Sequence, residues 1–258
     1  MNILHIDSSA RQESHSRGLS AAIVKKLLEV APGASTIRRD LGMDPLPHTP
    51  ADYAVALSTP ATLAAPPTGS LDVSEALIRE IEAADVIVIG TPMYNFTIPS
   101  TLKAWIDQIL RVGRTMKSTP AGKVGMLQDR PVFIGVTSGG VFAGDRANQP
   151  DFLTPYLTLA LNSIGLKTLQ FLPLQATAFL DRDQISVARE NALAAIDLTV
   201  MEDLLSVYGR PASERASTPR RVGRAEGSLP VEIFAALREA GVARDPSLMR
   251  PARPTPVP

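Results

Sequence analysis

The sequence contains no cysteine, which excludes disulfides, thiolate metal sites and a cysteine nucleophile. Histidine is scarce. His5, His15 and His48 stand apart, with no spacing that makes a metal-binding pair, so no metal is expected. No apolar run is long enough to cross a bilayer. The first residues show no basic segment followed by an apolar one, so a cytoplasmic protein without a membrane partner is expected. Net charge is also lacking: 26 Lys and Arg balance 26 Asp and Glu, which gives no reason to expect nucleic acid as a partner. What remains is a chain of 258 residues, 45% of them hydrophobic. That is enough for one sizeable core.

The apolar positions alternate between strand and helix patterns. Residues 1–7 read as a first strand, and Leu19, Ile23, Leu27 and Val30 form the stripe of a first helix, ended by Pro32-Gly33. A short strand is expected at 35–39. Proline then recurs at positions 45, 47, 50, 60, 66 and 67, so residues 40–71 read as a long loop, either functional or flexible. Leu77, Ile78, Ile81 and Ala84 mark a second helix. The β-branched run at 85–90 reads as a strand covered on both faces. Leu102, Ile106, Ile109 and Gly113 give a third helix with Ser100 as its N-cap, and Pro120-Ala121-Gly122 turns a hairpin within 115–129. A strand at 131–137, a helix through Phe152, Tyr156, Ala160 and Ile164 stopped by Gly165, a strand at 168–174 and one long helix from Ile185 to Leu204 follow. The pattern predicts an α/β fold: a doubly wound, five-stranded parallel sheet of order 2-1-3-4-5 in three α/β/α layers. Residues 1–208 form this domain. Residues 209–258 read as a Pro- and Arg-rich tail, linker or disordered, with a short helix at 230–240.

In that order strands 1 and 3 flank the switch point, where such sheets bind ligands. The loop after strand 1 carries Ser8, Ser9, Ser14, His15 and Ser16 directly ahead of a helix. Small hydroxyls at a helix N-terminus suit a phosphate monoester, although for the loop by itself an ordinary serine cap is the better explanation. The glycine fingerprint of dinucleotide folds and the lysine of phosphate-binding loops are both missing. The loop after strand 3, Met93-Tyr94-Asn95-Phe96, lies between Pro92 and Pro99 and suits a flat ring with polar edges. After strand 4, Thr137-Ser138-Gly139-Gly140 allows close backbone approach or positive φ. Three such loops at one sheet edge imply a planar ligand with one phosphate, a description that flavin mononucleotide (FMN) fits.

These residues also carry a family resemblance. The segment 91–107, with Thr91-Pro92-Met93-Tyr94-Asn95-Phe96 and Leu102-Lys103-Ala104-Trp105-Ile106-Asp107, closely resembles the FMN-dependent NADH:quinone oxidoreductases, also called FMN-dependent NADH-azoreductases. Arg39-Asp40-Leu41, Pro45-Leu46-Pro47 and Leu153-Thr154-Pro155-Tyr156-Leu157 are similar to that family as well, over about residues 1–207. The resemblance implies a flavodoxin-like fold and a homodimer with one FMN per subunit. It implies that Ser9, Ser14, His15 and Ser16 hold the phosphate and ribityl chain. Met93, Tyr94, Asn95 and Phe96 would hold the isoalloxazine, together with Thr137, Ser138, Gly139 and Gly140. Many relatives have Ser-Arg-Gly-Gly in that last loop, where this chain has no arginine. The implied chemistry is ping-pong: NADH or NADPH reduces FMN, and a quinone or azo compound then takes the electrons. No catalytic acid–base residue is assigned. A flavodoxin-type electron carrier is the alternative, which the neutral composition disfavours. A signalling receiver needs an acceptor Asp after strand 3, and Gly90-Thr91-Pro92 stands there instead.

Overall fold

Strand and helix alternate as the periodicity predicts. β1 (Asn2–Asp7) leads to α1 (His15–Val30), then β2 (Ser35–Asp40). α2 (Ala51–Ala56), α3 (Pro60–Ala64) and α4 (Asp72–Ala83) precede β3 (Val86–Pro92). α5 (Ser100–Ile109) is followed by β4 (Met116–Thr119) and β5 (Gly122–Gly125), then β6 (Val132–Thr137) and α6 (Leu153–Ile164). β7 (Leu169–Leu174), α7 (Arg182–Ala194) and α8 (Thr199–Tyr208) complete the order. The structure, a computed structural model, describes residues 1–120 and 122–208. The expected tail at 209–258 and its helix at 230–240 lie outside the described residues.

Five parallel strands stand in the order β2-β1-β3-β6-β7. With the separate antiparallel hairpin β4-β5 set aside, this is the expected 2-1-3-4-5. All of β3 is buried. Its side chains alternate between two cores, as strand geometry requires. Val86 and Val88 pack with Ile3 of β1, Phe133 of β6, Leu19, Ile23 and Leu27 of α1, and Ala192 of α7. Ile87 and Ile89 pack with Leu4, Ile6, Ile134, and residues of α4, α5 and α6 such as Ile78, Trp105 and Leu157. Helices therefore cover both faces of the sheet. Each large aliphatic side chain buried this way contributes about 1.5–3 kcal/mol.

Several local expectations are corrected. Ser100 is the first helical residue of α5, not its cap; Pro99, fixed at φ −63° with extended ψ, occupies the cap position. The single long last helix is two helices. Between α7 and α8 Ile196 is buried, and Gln170 of β7 donates to the Ala195 carbonyl and accepts the Asp197 N–H. The Asp197 carboxylate then accepts the Thr199 N–H at 2.9 Å. The sheet edge thus pulls the chain inward where the stripe reads as continuous. Residues 40–71 contain two short helices, α3 with a capping box of Thr59 and Thr62. Tyr53 of α2 is 3% exposed and donates to the Asp107 carbonyl at 3.0 Å, which ties this segment to α5. Gly165 stops α6 at φ 109°, as expected. Phe152 precedes that helix and is exposed, outside its apolar stripe. Val30 is exposed too.

α4 packs against α5 and is tied by ion pairs to the segment that follows α5. Glu75 accepts from Arg111 at 2.5 Å and from Arg114 at 3.1 Å, and Arg114 also reaches Glu82 at 2.7 Å. The hydrogen bonds and charge of Arg114, then those of Arg111, outweigh desolvation and lower the Glu75 carboxyl from 4.5 to about 2. A carboxyl depressed in the folded state adds stability above its unfolded value and loses it as pH falls through the folded value. The difference in unfolding free energy between the parent and Glu75→Gln should therefore be constant above about pH 5 and shrink steadily toward pH 2. Urea unfolding at stepped pH measures it; a difference independent of pH would count against the pairing.

Candidate functional site

The register brings the three candidate loops together. Asp7 pairs with Gly90 across β1 and β3, and Pro92 with Thr137 across β3 and β6. The loops leaving β1, β3 and β6 therefore emerge side by side. Two strand spacings separate the outer pair, about 10 Å, a width suited to fused rings. Further bonds seal the edge: Ser8 N–H and Oγ–H both donate to the Gly90 carbonyl, and Met93 N–H donates to Thr137 O at 2.8 Å.

The first loop ends in a helix N-terminus. Ser9 and Ser16 are fully buried, Ser14 is half-buried, and His15 is exposed at the first helical position. Ser14 Oγ accepts the Ser16 N–H at 3.3 Å and lies 2.9 Å from Ser16 Oγ. Ser9 Oγ accepts the Arg11 N–H. Beneath the loop lies an ionic network that the sequence did not reveal. Arg17, buried, forks onto Asp40 with bonds of 2.7 and 2.6 Å and donates twice to the Ser9 carbonyl. Gly42 packs against that carbonyl so closely that a Cβ would fall 1.9 Å from it. Arg38 pairs with Asp7 at 2.9 Å. Asp7 is almost wholly buried, and burial pushes its carboxyl up, but hydrogen bonds and charge from His5, Ser20 and Arg38 win and hold it below its usual range. Asp40 is likewise lowered, chiefly by Arg17. The charges cancel within the network, and the serine loop is fixed from below.

The second loop is a tight hairpin turn. Tyr94 and Thr97 exchange backbone hydrogen bonds at 2.9 and 3.1 Å, and Asn95 and Phe96 between them have φ of 48° and 72°. Two central residues with positive φ follow the type I′ pattern, where Asn-Gly is usual. Phenylalanine in the second place is strained by roughly 1–2 kcal/mol. Tyr94 and Phe96 are each more than 40% exposed. Met93, in contrast, belongs to the core. The N–H groups of Asn95, Phe96, Gly139 and Gly140 have no acceptor among the described residues.

In the third loop Thr137 and Ser138 are buried. Thr137 contributes its carbonyl to Met93, while Ser138 donates its N–H to Leu174 O and accepts at its carbonyl from Thr177. Neither Gly139 nor Gly140 has positive φ; of the two expected roles, close approach is the one found. A Cβ on Gly140 would lie 2.4 Å from Gln149 Oε1. Gln149 and Ala176 (φ 61°) complete the edge and were not singled out from the sequence. Gln149 sits in an aperiodic stretch, and no sequence signal distinguishes it. No group of acidic or histidine side chains suited to a metal occurs among the described residues, and no described helix is long and apolar enough to cross a membrane.

Residues 1–198 match a family described by its flavodoxin-like fold. The chain is 48% identical over 198 residues to FMN-dependent NADH:quinone oxidoreductase 4 of Pseudomonas fluorescens, covering 76% of this chain and 94% of that protein. It belongs to the FMN-dependent NADH:quinone oxidoreductase family. It is 45% identical over 181 residues to FMN-dependent NADH:quinone oxidoreductase 5 of Burkholderia lata, covering 69% of this chain and 86% of the other. A crystal structure of an FMN-dependent NADH-azoreductase of Bacillus anthracis in complex with FMN shares the fold at a TM-score of 0.64 and 23% identity, over 75% of this chain and 96% of that one.

The strained turn gives a direct test within this family member. Phe96→Gly and Phe96→Ala both remove the ring, but only glycine accepts φ 72° without cost. The glycine variant should be the more stable by about 1 kcal/mol in urea unfolding of the apo protein. Equal midpoints would show that the turn is relaxed.

Proposed function

We propose that this protein binds one FMN per subunit at the carboxyl edge of β1, β3 and β6, and that it transfers electrons from NADH or NADPH to quinones and azo compounds by a ping-pong mechanism. The observation that carries the reading is the pairing of two unlike ends on one edge: a serine-lined helix N-terminus, and about 10 Å away a glycine loop beside an aromatic turn. Ser9, Ser14 and Ser16 fit a phosphate, with His15 flanking them. The exposed Tyr94 and Phe96 fit a ring face, and the unpaired N–H groups of Asn95, Phe96, Gly139 and Gly140 fit its polar edge. When bound, FMN supplies the hydride chemistry. The protein binds, orients and offers main-chain donors where negative charge collects, which requires no side-chain acid or base.

The relatives' names support NADH and quinone as partners for this chain, and a neighbour's name supports azo compounds. A homodimer fits the exposed apolar residues beside the turn. Phe152 and Leu159 lie two helical turns apart and are 61% and 58% exposed, and Phe152 N–H donates to Phe96 O at 3.0 Å. Dependence on a nicotinamide coenzyme suits a cytoplasmic location.

Two measurements test the reading. Protein loaded with FMN should be yellow, should bleach with NADH in the absence of oxygen, and should regain colour on addition of a quinone. Bleaching by chemical reductant but not by NADH would favour a flavodoxin-type carrier instead. For the phosphate end, Ser14→Asp keeps a good helix cap while adding a negative charge. FMN affinity should fall about tenfold or more, whereas riboflavin, which has no phosphate, should bind as it does to the parent. Equal losses for both would remove the phosphate from the α1 N-terminus.

A further inference from the structure

One side chain joins the turn after β3 to the loop after β6. Gln149 Nε2 lies 2.8 Å from Ser138 Oγ and 3.1 Å from Met93 Sδ. A thioether has no proton, so the amide edge facing Met93 must be the NH2. Both of its hydrogens are then engaged, one by Sδ and one by Ser138 Oγ. Ser138 is consequently the acceptor in its pair, and its own proton has no acceptor among the described residues. The Ser138 backbone cannot turn to change this, because its N–H and carbonyl are held by Leu174 and Thr177.

Gln149 is itself held in place. Its N–H and that of Asn148 donate to the Val141 carbonyl, and Asn148 Oδ1 accepts the Val141 N–H at 3.1 Å. Its Oε1 occupies the space that the absent Cβ of Gly140 leaves open. The amide is thus fixed on both edges, between a core methionine and a buried serine.

We infer that Gln149 is a positioning residue: it clips the Met93 turn to the Ser138 loop and forces the Ser138 hydroxyl to act as a hydrogen-bond donor toward the ring edge of the bound flavin. This rests on the FMN reading above. A donor aimed at that edge favours the reduced, more negative flavin over the oxidised one. It gives this chain a way to set the flavin's poise without a cationic side chain in the Thr137-Ser138-Gly139-Gly140 loop.

A double-mutant cycle on FMN-loaded protein tests the inference, with the midpoint potential as readout. Gln149→Leu and Ser138→Ala should each weaken binding of reduced relative to oxidised FMN by about tenfold, a shift of about 30 mV to more negative potential for a two-electron couple. Gln149→Leu frees the hydroxyl to rotate and Ser138→Ala removes it, so the double variant should shift no further than Ser138→Ala alone. Gln149→Glu keeps the shape and reverses the polarity. Its ionised carboxylate should turn the Ser138 proton away from the flavin, and the shift should fade as the pH falls and the new acid becomes a donor. A packing role alone would leave only the through-space effect of the new charge, equal in the parent and in the Ser138→Ala background, whereas the inference requires the pH-dependent shift to be smaller once Ser138 is alanine. In the apo protein, amide exchange at residues 93–96 should quicken in Gln149→Leu. An unchanged potential in both Gln149 variants, or shifts that add in the double variant, overturns the inference while leaving FMN binding intact. If the parent protein itself takes up no FMN, the flavin reading and this inference fail together. If Gln149→Leu does not fold, Gln149→Glu and Ser138→Ala carry the decision through the pH dependence.

Discussion

The two-sided burial of β3 is the constraint on which the rest depends. A strand with no exposed residue must have a helical layer on each face, and the alternation of Val86 and Val88 against Ile87 and Ile89 feeds two distinct cores. Parallel neighbours on either side then put every loop that leaves these strands at the carboxyl edge. All three candidate loops leave the sheet at the same edge because β1, β3 and β6 are adjacent, parallel and in register. The crowding continues below the edge. A Cβ on Gly90 would meet Ser20 Oγ at 2.6 Å and Asp7 Oδ1 at 2.9 Å, so the one glycine in β3 lets α1 and the Asp7 network approach the strand that ends in the aromatic turn.

That network shows how a serine loop can rest on paired charges. Arg17 neutralises Asp40 and lies near Asp7, while Arg38 covers Asp7 from β2. Every strong charge there has an opposite partner, as low-dielectric burial demands. The result is a rigid, nearly neutral floor that holds the Ser9 carbonyl downward. The positive end of α1 is then the uncompensated local feature above that floor, which is what the proposed phosphate contact relies on. Removing Asp40 would leave the buried Arg17 without its forked partner, and removing Arg17 would free the Ser9 carbonyl, so the pair belongs to the loop's shape as much as to its electrostatics.

Much of this was legible in the sequence, for identifiable reasons. Long-period signals carried the architecture: a β-branched run, helical stripes and punctuating residues such as Gly165 gave the layers and the strand order. Loop composition singled out the candidate loops, since Ser9, Ser14, Ser16 and the Met93–Phe96 segment are unusual locally, and the fold brings those loops to one sheet edge. What was illegible depends on tertiary partners. The break between α7 and α8 is made by Gln170, a strand residue that no helical pattern contains. Gln149 and Arg17 are ordinary polar residues in sequence, and only the fold brings them to Ser138, Met93 and Ser9. The buried state of Met93 was hidden for the same reason. Its thioether reads as a ring contact beside Tyr94 and Phe96, and the fold packs it into the core next to Gln149.

The backbone adds an argument independent of composition. The three non-glycine residues with positive φ among those described, Asn95, Phe96 and Ala176, all sit in loops of this one sheet edge. Nothing in hydrophobic packing requires them there, since Phe96 is half exposed. Strain that folding alone would relax persists where the surroundings over-determine it. Here the turn is over-determined from two sides, by the exchanged bonds of Tyr94 and Thr97 and by Phe152 N–H on the Phe96 carbonyl. With its carbonyl engaged by the start of α6, Phe96 cannot flip to relieve its φ without breaking that link. Its N–H is left without an acceptor among the described residues. A free donor held in place at the cost of backbone strain suits the ring edge proposed above, where main chain can meet the charge that reduction adds.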